Sequence, residues 1–204
     1  MTLARLRVRA DASPLPARIA RLLADADVRL DALVADGLLT RLPHFAPSDY
    51  ALVHGVLARI VTHGERGERM LEWGSGLGVI AGMAASLGLR ASGIELDGAL
   101  AEASRALLAA HALDVEIAEG SFLPEDYEAP AHLDESDSHS LARRGADGYE
   151  VLGRDLDEFR IVYAYPWPGV EPVFFHLFDT CAAPGALLVT YHGLDGCQVR
   201  RKRG

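Results

Sequence analysis

Two acids and three glycines carry the first chemical signal. Glu72-Trp73-Gly74-Ser75-Gly76-Leu77-Gly78 puts a carboxylate ahead of alternating glycines. A dinucleotide fingerprint is spaced G-x-G-x-x-G. Counted from Gly74, its third glycine would fall on Val79, but the third glycine here is Gly78, one residue early. A leading carboxylate is awkward for a pyrophosphate and suits a cationic ligand. Glycine permits positive φ and lets the backbone approach a ligand closely, and a following helix offers unpaired N–H groups at its start. The second acid, Glu95, lies 21 residues after Gly74, within Gly93-Ile94-Glu95-Leu96-Asp97. At a strand end its two oxygens match the two hydroxyl donors of a ribose. Asp97 reads as a helix cap. The plainer reading of the glycine run is a tight strand-to-helix turn with no ligand.

The acidic-x-Gly-x-Gly-x-Gly form resembles the first motif of the class I methyltransferases that use S-adenosylmethionine (SAM). The resemblance covers roughly Phe45 to His192. It implies SAM as cofactor, a ligand with an ammonium and a sulfonium but no phosphate. The cofactor-binding residues it implies are Glu72, Gly74, Ser75, Gly76 and Gly78 at the turn, and Glu95 and Leu96 at the second strand end. Ser121 and Phe122 follow the third strand, and Tyr163 lies in the fourth. Pro47 and Ser48 belong to Phe45-Ala46-Pro47-Ser48, which is similar to an aromatic-x-Pro-Ser/Thr segment of some small members, including certain protein lysine methyltransferases. There it closes over the methionine end of SAM.

Two departures stand out. Ser121 occupies a position where the family often has an Asp for the adenine amino group. Ala164-Tyr165-Pro166-Trp167-Pro168 replaces an Asn/Asp-Pro-Pro-aromatic segment, so the amide that would orient an amine is missing. Tyr165 and Trp167 can wall an acceptor or stack on a cation, or serve as packed core. Tyr165 and His192 are the candidate catalytic groups, with Tyr163 a third titratable side chain near a strand end. The reaction implied is methyl transfer to an N or O nucleophile on a small molecule or a protein side chain.

The elements that must hold these residues are legible as a doubly wound α/β domain. Ser13-Pro14-Leu15-Pro16 opens a helix whose apolar positions (Ile19, Leu22, Leu23, Ala26, Leu30, Leu33) recur at helical spacing until Gly37, with a break admissible near Asp25 to Asp27. Ser48 is the expected N-cap of a second helix, Asp49 to His63. Strands are expected to end at Leu71 and to run over Leu89–Glu95, Leu113–Ala118, Arg160–Ala164 and Ala186–Tyr191. The resemblance implies a doubly wound sheet with two further strands after this point, the last antiparallel, but only 13 residues follow Tyr191, so a shortened five-stranded, mainly parallel sheet of order 3-2-1-4-5 is expected. Residues 1–47 form an N-terminal helical extension and residues 48–204 the Rossmann-like domain. Residues 125–158 form a long acidic loop or insertion. Within it, Gly145-Ala146-Asp147-Gly148 reads as a hairpin turn with Tyr149 to Leu152 as one arm. Asp134 to His139 fits neither a calcium loop nor zinc-hydrolase spacing and reads as a solvated loop.

Composition narrows the classes. Hydrophobic residues make up 50% and charged residues 24%, a globular balance. The net charge of −9 opposes nonspecific nucleic-acid binding by the body of the protein. Positive charge collects at Arg5, Arg7 and Arg9 and at Arg200-Arg201-Lys202-Arg203. The last run reads as a loose solubilising tail that could touch RNA or an acidic surface. No apolar run spans a bilayer and no secretory pattern leads the chain, so a cytoplasmic location is expected. Cys181 and Cys197 match no zinc or redox pattern. Two rivals remain. A nicotinamide oxidoreductase explains Glu95 but not Glu72, and no Tyr-x-x-x-Lys pair is present. A non-catalytic SAM-binding subunit fits a shortened sheet whose open strand-five edge would take a partner or a second copy.

Overall fold

The computed structural model describes residues 2–42, 45–130, 133 and 145–204. His44 and the acidic stretch from Asp134 to His139 lie outside the described residues. Five parallel strands form the middle of the sheet: β2 (Arg69–Trp73), β3 (Arg90–Glu95), β4 (Val115–Glu119), β5 (Ile161–Ala164) and β6 (Leu187–Tyr191). Their order, β4-β3-β2-β5-β6, is the expected 3-2-1-4-5. Every residue of β5 and β6 is buried. Parallel strands covered on both faces read as continuous apolar runs, which is why these were visible in the sequence.

Among the described residues the strand count is corrected from five to seven, and the order is extended beyond β6 by two antiparallel strands. β7 (Cys197–Lys202) runs antiparallel beside β6, and β1 (Leu3–Leu6) runs antiparallel beside β7. Thirteen residues suffice after Tyr191 because the reversal is tight. The His192 N–H donates to the Gly196 carbonyl at 2.9 Å, and β7 starts at the next residue. The outermost strand comes from the other end of the chain, so the first 47 residues are not only helical. Two further expectations fall with it. The edge of β6 is paired, so it is no open docking edge. The basic run is a strand rather than a loose tail: Val199 is buried opposite Val189, Arg200 lies 3.9 Å over the Phe175 ring, and Lys202 Nζ donates to the Ala182 carbonyl.

Helices cover both faces. On one side lie α1 (Ala17–Ala35), the short α2 (Leu38–Arg41), α3 (Tyr50–Ile60), α4 (Val79–Ser86) and α5 (Gly98–Ala110). They bury Ile19, Leu57, Met83 and Leu107 against the sheet. α1 is unbroken at Asp25–Asp27; Asp25 instead accepts from Arg29 and meets His111 Nε2 at 3.2 Å, tying α1 to α5. On the other side, α6 (Gly148–Leu152) and α7 (Glu171–Cys181) pack Tyr149, Phe174 and Phe178 on Leu188.

Two local expectations change. Asp49, not Ser48, caps α3, accepting from the Leu52 N–H at 2.9 Å. The hairpin expected at 145–152 is instead the start of α6. Asp147 accepts from the Tyr149 N–H at 2.7 Å, and an Asp in that position nucleates a helix rather than a turn between strands. Among the described residues no helix is long and apolar enough to cross a membrane.

Candidate functional site

The carboxyl ends of β2, β3, β4 and β5 surround a cavity of about 510 Å3. That volume is within the range of small-molecule sites, roughly 300–1,000 Å3. The glycine turn forms its floor. Gly76 and Gly78 hold φ of +54° and +68°, in the left-handed region. A Cβ on Gly78 would sit 2.3 Å from Ser104 Oγ, so α5 packs directly on the turn. A Cβ on Gly76 would meet the Phe45 ring at 3.1 Å, so the Phe45 segment lies against the turn.

Both acids face this cavity. Glu95 is buried at the end of β3; its Oε2 accepts from the Gly76 N–H at 2.6 Å and its Oε1 from the Asp97 N–H at 2.9 Å. Glu72 is buried in β2, with Oε2 accepting from the Ala81 N–H at 2.8 Å in the first turn of α4. Burial raises both carboxyls above their ordinary range. For Glu95 the amides of Asp97, Gly76 and Leu96 work against that rise; for Glu72 the Ala81 amide does so, and the neighbouring Glu95 charge adds to it. Among the described residues neither acid has a cationic partner. No Lys, Arg or His lines the cavity among the described residues, whereas Glu72, Glu95 and Asp97 all do. Buried, uncompensated carboxylates call for a positive ligand.

All the cofactor-binding residues expected from the sequence line this one space except Gly78, which holds the turn from beneath: Glu72, Gly74, Ser75, Gly76, Glu95, Leu96, Ser121, Phe122, Tyr163, Pro47 and Ser48. Ser48 Oγ lies 2.6 Å from the Tyr163 hydroxyl, so the segment before α3 is hydrogen-bonded to β5 across the cavity. Ser121 Oγ accepts from the Leu123 N–H at 3.1 Å. Phe122 stacks on Trp73 at 5.3 Å.

The two catalytic candidates separate. Tyr165 lines the cavity, its ring edge-on to Tyr191 at 4.7 Å. His192 does not line it. Its Nε2 lies 2.8 Å from Thr190 Oγ1 and its Nδ1 4.0 Å from a Glu171 carboxylate oxygen. Burial lowers its pKa, with Glu171 acting in the opposite direction.

Sequence reasoning missed several lining groups. Tyr50, read only as an inward helix position, lines the cavity, and burial raises its hydroxyl pKa, reinforced by Glu72 and Asp27. Asp97 caps α5, accepting from the Leu100 N–H at 3.0 Å, and lines the cavity as well. Trp73 and Phe174 complete the wall. Trp73 lies inside the glycine motif, and its alternation with Glu72 was the available signal. Among the described residues no group of three or more His, Cys, Asp or Glu is placed to hold a metal ion.

No protein-family model matches the chain, and no curated protein matches it. Solved structures do resemble it. An O-methyltransferase from Bacillus cereus, in complex with SAH, aligns at TM-score 0.53 and 16% identity, over 87% of this chain and 66% of that one. A methyltransferase from Geobacter sulfurreducens aligns at TM-score 0.52 and 15% identity, over 93% and 92%. The O-methyltransferase TomG from Streptomyces achromogenes, involved in tomaymycin synthesis and in complex with SAM, aligns at 0.51 and 19%, over 87% and 66%. At these identities the likeness is one of fold. The fold is that of the class I SAM-dependent methyltransferases.

Proposed function

We propose that the protein binds SAM in the glycine-floored cavity and transfers its methyl group to an N or O nucleophile of a small molecule or a protein side chain. The observation that carries this is one cavity lined by two buried carboxyl groups, Glu72 and Glu95, with no cationic partner among the described residues, over a glycine turn. Nicotinamide cofactors explain Glu95 but bring a pyrophosphate toward Glu72. The neighbours solved with SAH or SAM support the same choice of ligand.

SAM, when bound, supplies a methyl group on a positively charged sulfur, already a good electrophile. The protein's share is alignment and exclusion of water. Glu72 would face the cationic amino-acid end, and Glu95 would accept from the ribose hydroxyls. Ser48 and Tyr163 would close the methionine end, and Tyr165 and Trp167 would wall the acceptor. An acceptor of high pKa also has to lose a proton. His192 does not line the cavity, and burial raises the Tyr163 and Tyr50 hydroxyls, so none of these three groups is well suited to take that proton.

That shortage of a base is the specific observation favouring a second reading, a SAM-binding subunit without turnover. Calorimetry with SAM, SAH and NAD tests the ligand. Tight binding of the first two and none of the third is expected, and NAD binding in preference to SAM would sink the proposal. Turnover of labelled SAM on a cell extract then divides enzyme from subunit.

A further inference from the structure

We propose that a second cavity, at the opposite end of the sheet, binds a small phosphate-bearing molecule through Arg69 and Arg90. It encloses about 460 Å3, and its charged lining is Arg18, Arg69, Arg90, Arg154, Asp114 and Glu116. Arg69 and Arg90 are the first residues of β2 and β3, whereas the SAM-sized cavity lies at the last residues of the same strands. The two spaces are therefore separated by the length of the strands, and the occupant of one is not the methyl acceptor of the other.

The charge at this end is not balanced from within. Four arginines face two carboxylates, in a chain whose net charge is −9. Arg154 Nη1 holds Glu116 at 2.6 Å and donates to the Leu152 carbonyl at 2.9 Å, which uses that acid. Arg18 Nη2 donates to the carbonyls of His111 and Ala112, each at 3.2 Å. Arg90 Nε donates to the Gly67 carbonyl at 2.9 Å. The Arg69 guanidinium has no hydrogen bond or ion pair among the described residues, and exposed Asp114 forms no ion pair with it there.

Register sharpens the point. Arg69 and Arg90 are direct partners on neighbouring parallel strands, so their side chains leave the sheet on the same face. Like charges directly across a strand pair are destabilising. An oxyanion between them turns that repulsion into attraction, and the guanidinium fork matches two oxygens of a phosphate. Buried Ser92 adds a hydroxyl, and Leu89 and Leu113 give an apolar floor for the rest of the molecule. The enclosed volume and the negative net charge favour a small ligand over a nucleic-acid strand.

Calorimetry on the full chain with inorganic phosphate and with tripolyphosphate, at constant ionic strength, tests this. Saturable binding is expected, tighter for tripolyphosphate. Arg69→Gln should weaken it about tenfold or more, the scale of one lost charged hydrogen bond. Arg69→Lys, which keeps the charge without the fork, should fall between. Ligand-free melting identifies any variant that fails to fold, and Arg90→Gln then stands in for it. Dilution heats alone with the wild type, or unchanged affinity in folded Arg69→Gln, would overturn the proposal. So would a short single-stranded RNA that binds through the same arginines more tightly than tripolyphosphate.

Discussion

At the carboxyl ends of β2 and β3, Glu72 and Glu95 are buried with no cation beside them among the described residues. At the amino ends of the same strands, Arg69 and Arg90 stand side by side with no carboxylate paired to them among the described residues. Parallel strands bring like ends together, so one scaffold presents an acidic pole and a basic pole. The difference lies in burial. Glu72 is 4% exposed beneath the glycine turn, while Arg90 is exposed. A buried charge costs stability and is recovered by a ligand, whereas an exposed charge costs little and waits for one. The acidic pole is thus built into the core, and the basic pole is added at its rim.

The largest effect expected separates the two poles by packing. Gly78→Ala forces both a left-handed φ and a contact with Ser104 Oγ, and should cost about 3 kcal/mol. At the basic pole, Gly67 also has positive φ but open space around its missing Cβ, so Gly67→Ala should cost only about 1 kcal/mol. Denaturant titration of the pair checks this, and equal costs would break the distinction.

Next in size is Glu95→Ala. It removes the proposed acceptor for two ribose hydroxyls and should weaken SAM binding about 100-fold by calorimetry. Tripolyphosphate binding should be unchanged, and a parallel fall in both would mean the poles are not independent.

Glu72 sharpens the comparison through pH. Its folded pKa is raised by burial, so its contribution to stability is present at low pH and lost as pH rises through that value. Glu72→Gln should therefore be more stable than the wild type by about 2 kcal/mol near pH 8, with the gain gone below about pH 4. SAM binding, which favours the ionised acid, should tighten with rising pH and release a proton, visible as buffer-dependent heat. The opposite slope would remove Glu72 from the cationic end of the ligand.

The smallest effect concerns the segment that closes the acidic pole. Ser48→Ala and Tyr163→Phe should each cost about 1 kcal/mol, and the double variant less than the sum, because they delete one shared hydrogen bond. Additive losses in a double-mutant cycle would show that the bond in the structure carries no coupling.

The five middle strands, the glycine turn and the paired acids were legible because each is a local signal, whereas the order of those strands came from the family resemblance. An apolar run bounded by glycine or an acid announces a buried parallel strand without reference to anything distant. β1 and β7 gave no such signal. Leu3–Leu6 is only four residues long and Cys197–Lys202 is mostly charged in its second half, so neither shows an apolar run, and only pairing with neighbouring strands makes them part of the sheet. That His192 lies outside the cavity lining was hidden for the same reason: its place depends on where β7 turns. Asp147 failed differently, since an acid between glycines serves a hairpin or a helix cap equally well, and the neighbouring Ser121 bridge decided it.

By itself, then, the sequence determined the chemistry available at the ends of β2 and β3, because the residues concerned sit at fixed spacings along one continuous stretch. Tertiary structure decided which of them share a cavity, that the sheet has seven strands among the described residues, and that Arg69 stands beside Arg90. Those facts depend on register between segments far apart in the chain, which no local pattern encodes.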